Sequence, residues 1–257
     1  MLAELKMELE SDSAELGYFQ SSNLQGVLME QIDGCYAQKL HEQGIKPYSQ
    51  YITGTDKKEW RVKTLTTEAY EQIMFPLLDS SFEEFYIEKK QIHVRICKKE
   101  INTISYQELL DEFYSAPCSR YLNLEFLTPT SFKSAGRYII MPDMHYIYQS
   151  LMNKYSAVSV DMDMYDEETL HQLTSSSMIT QYRLRSVSFP LEGIKIPSFK
   201  GEMRVKLNGT DTMAKYVRLL ARFGEYAGVG IKTAIGMGGM KISDGYKEKA
   251  YRGMPAS

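Results

Sequence analysis

Cysteine is scarce and scattered. Cys35, Cys97 and Cys118 are the three present, and no two form a Cys-x-x-Cys pair. That spacing excludes a zinc ribbon or a disulfide framework and fits a reducing compartment. Histidine is almost as rare, at four residues: His41, His93, His145 and His171. No two stand four apart, so a helical metal-binding pair is excluded. His41-Glu42 opens like a zincin motif, but Ile45 takes the place of the second histidine. A Gly-x-Ser-x-Gly elbow and a Gly-Lys-Ser/Thr phosphate loop are also missing. No apolar run approaches the ~20 residues of a membrane helix. Charge is mixed into the apolar positions of Met1–Glu10, unlike a secretory signal. A cytoplasmic protein is expected, with no membrane partner, no metal and no cofactor.

What remains is a globular composition, 43% hydrophobic and 25% charged over 257 residues, enough for two ordinary domains. The formal net charge of −3 argues by itself against a polyanion partner. Its distribution argues the other way. Between Gln181 and Lys241 eleven basic residues face four acidic ones, while the acid gathers elsewhere, as in Asp161–Glu168. A basic C-terminal face on an acidic protein points to a polyanion.

Periodicity gives the order of elements. Residues 2–10 alternate apolar and polar like a half-buried strand. Leu24, Val27, Leu28, Ile32, Cys35 and Leu40 then recur at helical spacing, ended by Gly44 and Pro47. Strands are predicted over Pro47–Thr53 and Glu59–Leu65, a helix from Thr66 to about Leu78, and strands over Phe82–Ile87 and Gln91–Cys97. This is the split βαβ order of a ferredoxin-like fold. The order recurs with a strand over Tyr121–Leu127, a helix over Asp143–Ser156 and strands over Arg183–Phe189 and Glu202–Leu207. A helix over Thr210–Phe223 and a strand over Gly238–Ser243 complete it. The expected class is α+β, with two tandem ferredoxin-like domains at 1–118 and 119–245 and a flexible polar tail at 246–257.

Two places carry chemistry. Gly224-Glu-Tyr-Ala-Gly228-Val-Gly230-Ile-Lys232-Thr-Ala-Ile-Gly236-Met-Gly238-Gly239 holds six glycines in sixteen residues. Thr233 stands where a dinucleotide fingerprint needs its third glycine, and the loop follows a helix instead of a strand. Bare backbone N–H groups in such a loop form an anion nest, with Lys232 and Thr233 able to meet phosphate. The plainer alternative is a helix cap at Gly224 followed by tight turns. The second place is the predicted end of the first helix, where His41 precedes Gly44 and Lys46 and follows Tyr36. An imidazole moves a proton near neutral pH, and an adjacent ammonium stabilises charge on phosphorus. That set suits metal-free cleavage of RNA by its own 2′-hydroxyl.

Together these segments resemble the CRISPR-associated repeat-RNA endoribonucleases of the RAMP superfamily. Gly228-Val-Gly230-Ile-Lys232-Thr-Ala-Ile-Gly236-Met-Gly238 is similar to the family's C-terminal glycine loop, with a shorter spacer between Lys232 and Gly236. Leu40-His41-Glu-Gln-Gly44-Ile-Lys46-Pro-Tyr48-Ser49 resembles its histidine-bearing helix end and the strand that follows. Leu127-Thr-Pro-Thr-Ser-Phe-Lys133 resembles the opening of its second domain, and Asn23-Leu-Gln-Gly26 the start of its first helix. The resemblance implies two ferredoxin-like domains and metal-independent cleavage of repeat RNA to 2′,3′-cyclic phosphate and 5′-hydroxyl ends. It implies His41 as the catalytic histidine and Lys46 as its supporting lysine. The tyrosine of some members would fall near Met29, so Tyr36 is the candidate replacement. For RNA binding it implies Lys133, Arg137, Lys195, Lys200, Arg204, Gly228, Gly230, Lys232, Thr233, Gly236 and Gly238. Expected partners are the repeat RNA, subunits of a CRISPR effector complex and a second copy of the chain. The competing reading is a non-catalytic RNA-binding subunit of such a complex. A remoter one is a ferredoxin-like protein that binds a small molecule.

Overall fold

The computed structural model describes residues 1–11, 16–54, 57–115, 119–159 and 163–243. Cys118 and the polar tail lie outside them. The first half contains β1 (Leu2–Ser11), α1 (Ser21–Gln31), α2 (Gly34–Glu42), β2 (Tyr48–Thr53) and β3 (Lys58–Thr64). A helical stretch follows, α3 (Thr67–Ala69), a π-turn over Tyr70–Met74 and α4 (Phe75–Leu78). Then come β4 (Glu84–Ile87) and β5 (Ile92–Ile104). These strands form one antiparallel sheet in the order β2-β3-β1-β5-β4. β1 occupies the middle because Ala3, Leu5, Met7 and Leu9 all point into the core, as the alternation requires. Trp60, opposite Met7, is fully buried, and its indole N–H donates to Gln50 at 2.9 Å.

After α5 (Tyr106–Ser115) the pattern repeats with β6 (Tyr121–Thr130), β7 (Phe132–Ser134), β8 (Arg137–Ile139), α6 (Met144–Val158) and α7 (Glu167–Ser175). β9 (Ser177–Leu191), β10 (Ile194–Leu207), α8 (Asp211–Ala227) and β11 (Met240–Ile242) complete it. The second sheet runs β11-β6-β10-β9, and β7 with β8 makes a small ribbon. Leaving out the edge strand β4, both sheets place their first strand between the third and the last. That is the ferredoxin-like arrangement, present here twice in tandem. Among the described residues no helix is long and apolar enough to cross a membrane.

Several elements differ from the expected ones, each for a local reason. The helix read through Leu24–Leu40 is two helices. Asp33 breaks it and caps α2, accepting from the N–H groups of Cys35 (2.9 Å) and Tyr36 (3.1 Å). The last strand of the first unit is β5, which extends to Ile104 beside β1, while β4 sits at the sheet edge. The acidic run near Asp166 is the start of α7. Asp166 accepts from Thr169 N–H at 2.7 Å, and Glu167 and Glu168 complement the positive helix end. The segment Pro190–Gly201, read as a break between strands, belongs to the long β9–β10 ribbon and turns only at Glu192-Gly193.

The two halves share buried contacts. Leu2 and Leu65 of the first half pack in the second core, and Ala234 of the second half packs in the first. Ser49 Oγ donates to Tyr226 O at 2.5 Å. The fully buried Lys63 reaches Glu4 at 3.2 Å and donates to Glu225 O.

Candidate active-site cleft

The glycine-rich segment starts where α8 ends. Gly228 takes φ 66°, and its N–H donates to Gly224 O at 2.9 Å, closing the last turn. The chain then runs between the two halves. The other glycine N–H groups are engaged inside the protein too. Gly230 donates to Ser150 Oγ (2.8 Å), Gly236 to Thr233 O (3.5 Å), Gly238 to Pro129 O (2.9 Å) and Gly239 to Thr128 Oγ1 (2.8 Å). The expected anion nest is therefore not built from these glycines, because their donors already have partners. Their role is close approach. At Gly230 a Cβ would stand 2.3 Å from Ser131 O, and at Gly236 it would stand 2.0 Å from Ser21 Cβ. The loop thus seats the second half on α1.

Within this buried segment Lys232 is exposed, in a left-handed conformation (φ 57°) that its loop imposes. Its carbonyl accepts from Ile235 (3.1 Å) and Met237 (3.3 Å), which folds the loop tip into a short 3-10 turn. Thr233, expected to meet phosphate, is buried, and its hydroxyl accepts from Lys154 Nζ at 3.2 Å.

The first half contributes the end of α2. His41 is exposed one residue before its end. Lys46 folds back over this terminus. Its ammonium donates to the carbonyls of Leu40, His41 (3.3 Å) and Gln43, satisfying helix-end acceptors. Partial burial pulls its pKa down. Tyr36 sits differently from expectation. It stands five positions before His41, about 140° around the helix. It is 6% exposed in the first core, and among the described residues its buried hydroxyl has no partner. Burial, then Glu68 and Tyr48 nearby, push its pKa up, so it is a poor proton donor or acceptor. The structure does not bring it to the surface that carries His41.

A cleft of ≈ 490 Å³ brings the two segments together, with Gly44–Lys46 on one wall and Gly230–Ile235 on the other. α6 forms its floor with Ser150, Asn153 and Lys154, and α1 adds Gln25. Among the described residues its lining holds three lysines, Lys46, Lys154 and Lys232, and no carboxylate. His41 does not line it, although its backbone carbonyl touches Lys46.

Lys154 was not expected. Its ammonium is buried and donates to Ala227 O (3.4 Å), Gly228 O (3.0 Å) and Thr233 Oγ1. Burial pulls its pKa down to about 7. A signal for it exists in the sequence. It lies seven residues after Ile147 and three after Leu151, on the apolar face of its helix, where a lysine needs a reason.

The remaining basic candidates lie away from the cleft lining. Lys133 and Arg137 are exposed on the β7–β8 ribbon, with the Lys133 ammonium 5.9 Å from the Tyr138 ring centroid. That ribbon begins beside Ser131, whose carbonyl accepts from Ile231 N–H of the glycine loop at 3.0 Å. On β10, Lys200 lies 5.6 Å over Tyr18, and the Arg204 guanidinium lies 4.3 Å over Tyr121. Burial, then the nearby Arg185, pull the pKa of Lys200 down. Lys195, near the β9–β10 tip, lines a separate groove of ≈ 430 Å³ with Phe19, Lys89 and Lys90. His93 pairs with Glu84 at 3.1 Å on the sheet edge.

Tandem ferredoxin-like units joined by a buried glycine loop, with a lysine-lined cleft between them, define the class of fold. Comparison with known proteins narrows this. Residues 124–240 match the family model described as CRISPR-associated endoribonuclease Cas6. The Cas6 endoribonuclease of Mycobacterium tuberculosis is 35% identical over 250 residues, covering 94% of this chain and 78% of that protein. That of Streptococcus thermophilus is 38% identical over 220 residues, covering 85% and 89%. The chain belongs to the Cas6 family of CRISPR-associated endoribonucleases. Among solved structures, a Cas6 product complex superposes with a TM-score of 0.77 at 22% identity, covering 95% of this chain and all of that one. A Thermus thermophilus Cas6 gives 0.72 at 23%, covering 95% and 98%. At that identity these likenesses speak for the fold.

Proposed function

We propose that this chain cuts CRISPR repeat RNA into guide RNAs without a metal ion. The observation that carries the reading is the convergence of Lys46, Lys154 and Lys232 on one carboxylate-free cleft beside the helix end that bears His41. The His41 imidazole accepts the proton of a ribose 2′-hydroxyl. The 2′-oxygen bonds to the adjacent phosphorus, and the bond from phosphorus to the 5′-oxygen breaks. The departing oxygen takes a proton, so the products are a 2′,3′-cyclic phosphate and a 5′-hydroxyl. Negative charge grows on the phosphoryl oxygens as the phosphorane forms. Ammonium groups in a partly desolvated cleft stabilise it more than water does.

Lys46 supports that charge, and Lys232 holds the RNA backbone. Lys133, Arg137, Lys195, Lys200 and Arg204 guide the RNA beyond the cleft. The same reading divides the chain into domains at 1–118 and 119–245. One observation favours a binding-only subunit of an effector complex as the second reading: His41 stands outside the cleft lining.

The test uses repeat RNA from the same genome with single 2′-deoxy substitutions. One substitution, at the nucleotide before the cut, is expected to abolish cleavage, and the uncut position yields no cyclic phosphate. Cutting that persists at the substituted position refutes 2′-oxygen attack. Failure to cut any form at high protein concentration favours the binding-only reading.

A further inference from the structure

Among the described residues the partners of the Lys154 ammonium are all neutral. Two backbone carbonyls and one hydroxyl accept from it, and no carboxylate is among them. A buried lysine of this kind is disfavoured unless something else uses its charge. Its acceptors sit on both sides of the glycine loop's first bend. Ala227 and Gly228 end α8, and Thr233 begins the 3-10 turn that follows Lys232. One ammonium therefore ties the two ends of the segment that carries Lys232. The same residue faces the cleft, where the other charged linings are Lys46 and Lys232.

We propose that Lys154 is a positioning residue of this cleft, which fixes the glycine loop so that Lys232 and Lys46 face one RNA phosphate. This rests on the reading that the cleft receives RNA. Binding would bring the missing counter-charge. In the free protein burial pulls the pKa of the ammonium down to about 7, with Lys46 and Lys232 as its charged neighbours across the cleft. A phosphodiester between the three favours the charged form, so Lys154 has a higher pKa in the complex than in the free protein. RNA binding then takes up a proton in the window between the two values. Affinity falls as pH rises from about 7 through that window.

The experiment measures repeat-RNA affinity from pH 6 to 9 in a His41→Ala background, with Lys154 intact, as Lys154→Met and as Lys154→Arg. With Lys154 intact, affinity is expected to fall several-fold per pH unit above neutrality. Lys154→Met should bind about tenfold to a hundredfold more weakly at pH 6.5 and lose most of that slope, the scale expected when hydrogen bonds from a charged group are lost. Lys154→Arg keeps a charge and should recover part of the affinity without the slope. Lys46 is common to all three proteins, so the difference between them isolates Lys154. Thr233→Val removes one acceptor without removing the charge and covers the case in which Lys154→Met does not fold. It should weaken binding and keep the slope. Equal slopes for the Lys154 protein and Lys154→Met overturn the proposal, as does unchanged affinity in Thr233→Val. Cleavage that persists in the His41→Ala background refutes the catalytic assignment instead, so the two failures are told apart.

Discussion

Two glycines separate a structural loop from a ligand nest, because the same substitution acts in opposite directions on them. Gly236 has φ 109°, and a Cβ there would lie 2.0 Å from Ser21 Cβ and 2.6 Å from Ser21 Oγ. Ser21 is fully buried at the start of α1, so it has no room to retreat. Gly236→Ala therefore meets two costs. The backbone cost of a side chain at positive φ is about 1–2 kcal/mol, and overpacking adds about 1–3 kcal/mol. Together they give about 2–5 kcal/mol. For a chain of this size each kcal/mol lowers Tm by roughly 2–4 °C, so a fall of about 4–20 °C is expected. Gly26 lies inside α1 with nothing within 4 Å of a built Cβ. Gly26→Ala should raise stability by about 0.5–1 kcal/mol through helix propensity and the unfolded chain. The assay is thermal unfolding followed by circular dichroism, without RNA. If Gly236→Ala melts with the parent protein and loses only RNA affinity, the loop does not join the two halves, and the nest reading returns.

Three further outcomes follow from the same geometry. Lys232→Ala should weaken RNA binding at every salt concentration and lower the slope of log affinity against log salt by about 0.7 to 0.9, one phosphate contact; an unchanged slope removes Lys232 from the RNA. Tyr36→Phe deletes a buried hydroxyl that has no partner, so stability should hold or rise and single-turnover cleavage should stay within about twofold. A tenfold loss of rate would return Tyr36 to the chemistry. Asp33→Ala removes the two-donor cap of α2 and should cost about 1 kcal/mol in denaturant unfolding; no shift in the midpoint would mean that the cap is satisfied by water.

The tandem ferredoxin-like order was legible because β1, α6 and α8 carry clean periodicity and the polar run from Gly54 to Lys58 separates β2 from β3. The breaks were less so. Asp33-Gly34 interrupts a stripe whose apolar spacing continues across it, and only cap geometry reveals the second helix. The acid run near Asp166 reads as solvated charge until its cap to Thr169 is seen. The β9–β10 ribbon contains Pro190 and Pro197, which sequence reasoning takes as breakers, yet both pair in register within it. At the site, the histidine helix end and the glycine loop were legible as separate segments, almost two hundred residues apart. Their meeting across the cleft was not, since it depends on how Gly236 packs on Ser21. The glycine pattern also pointed to the wrong physics, because spacing cannot say whether an N–H faces solvent or Pro129 O. Lys154 shows in the sequence only as one charge on an apolar helix face, with nothing there to name its acceptors.

The central claim is that this cleft and His41 together cut RNA without a metal. The most direct measurement is single-turnover cleavage of a same-genome repeat RNA in EDTA, by the unaltered protein and by His41→Ala. Full activity is expected in EDTA, with a loss of about 10²–10⁴-fold in His41→Ala, the range for a general base, and RNA affinity retained. Unchanged cleavage by His41→Ala, or a strict need for Mg²⁺, would contradict that claim.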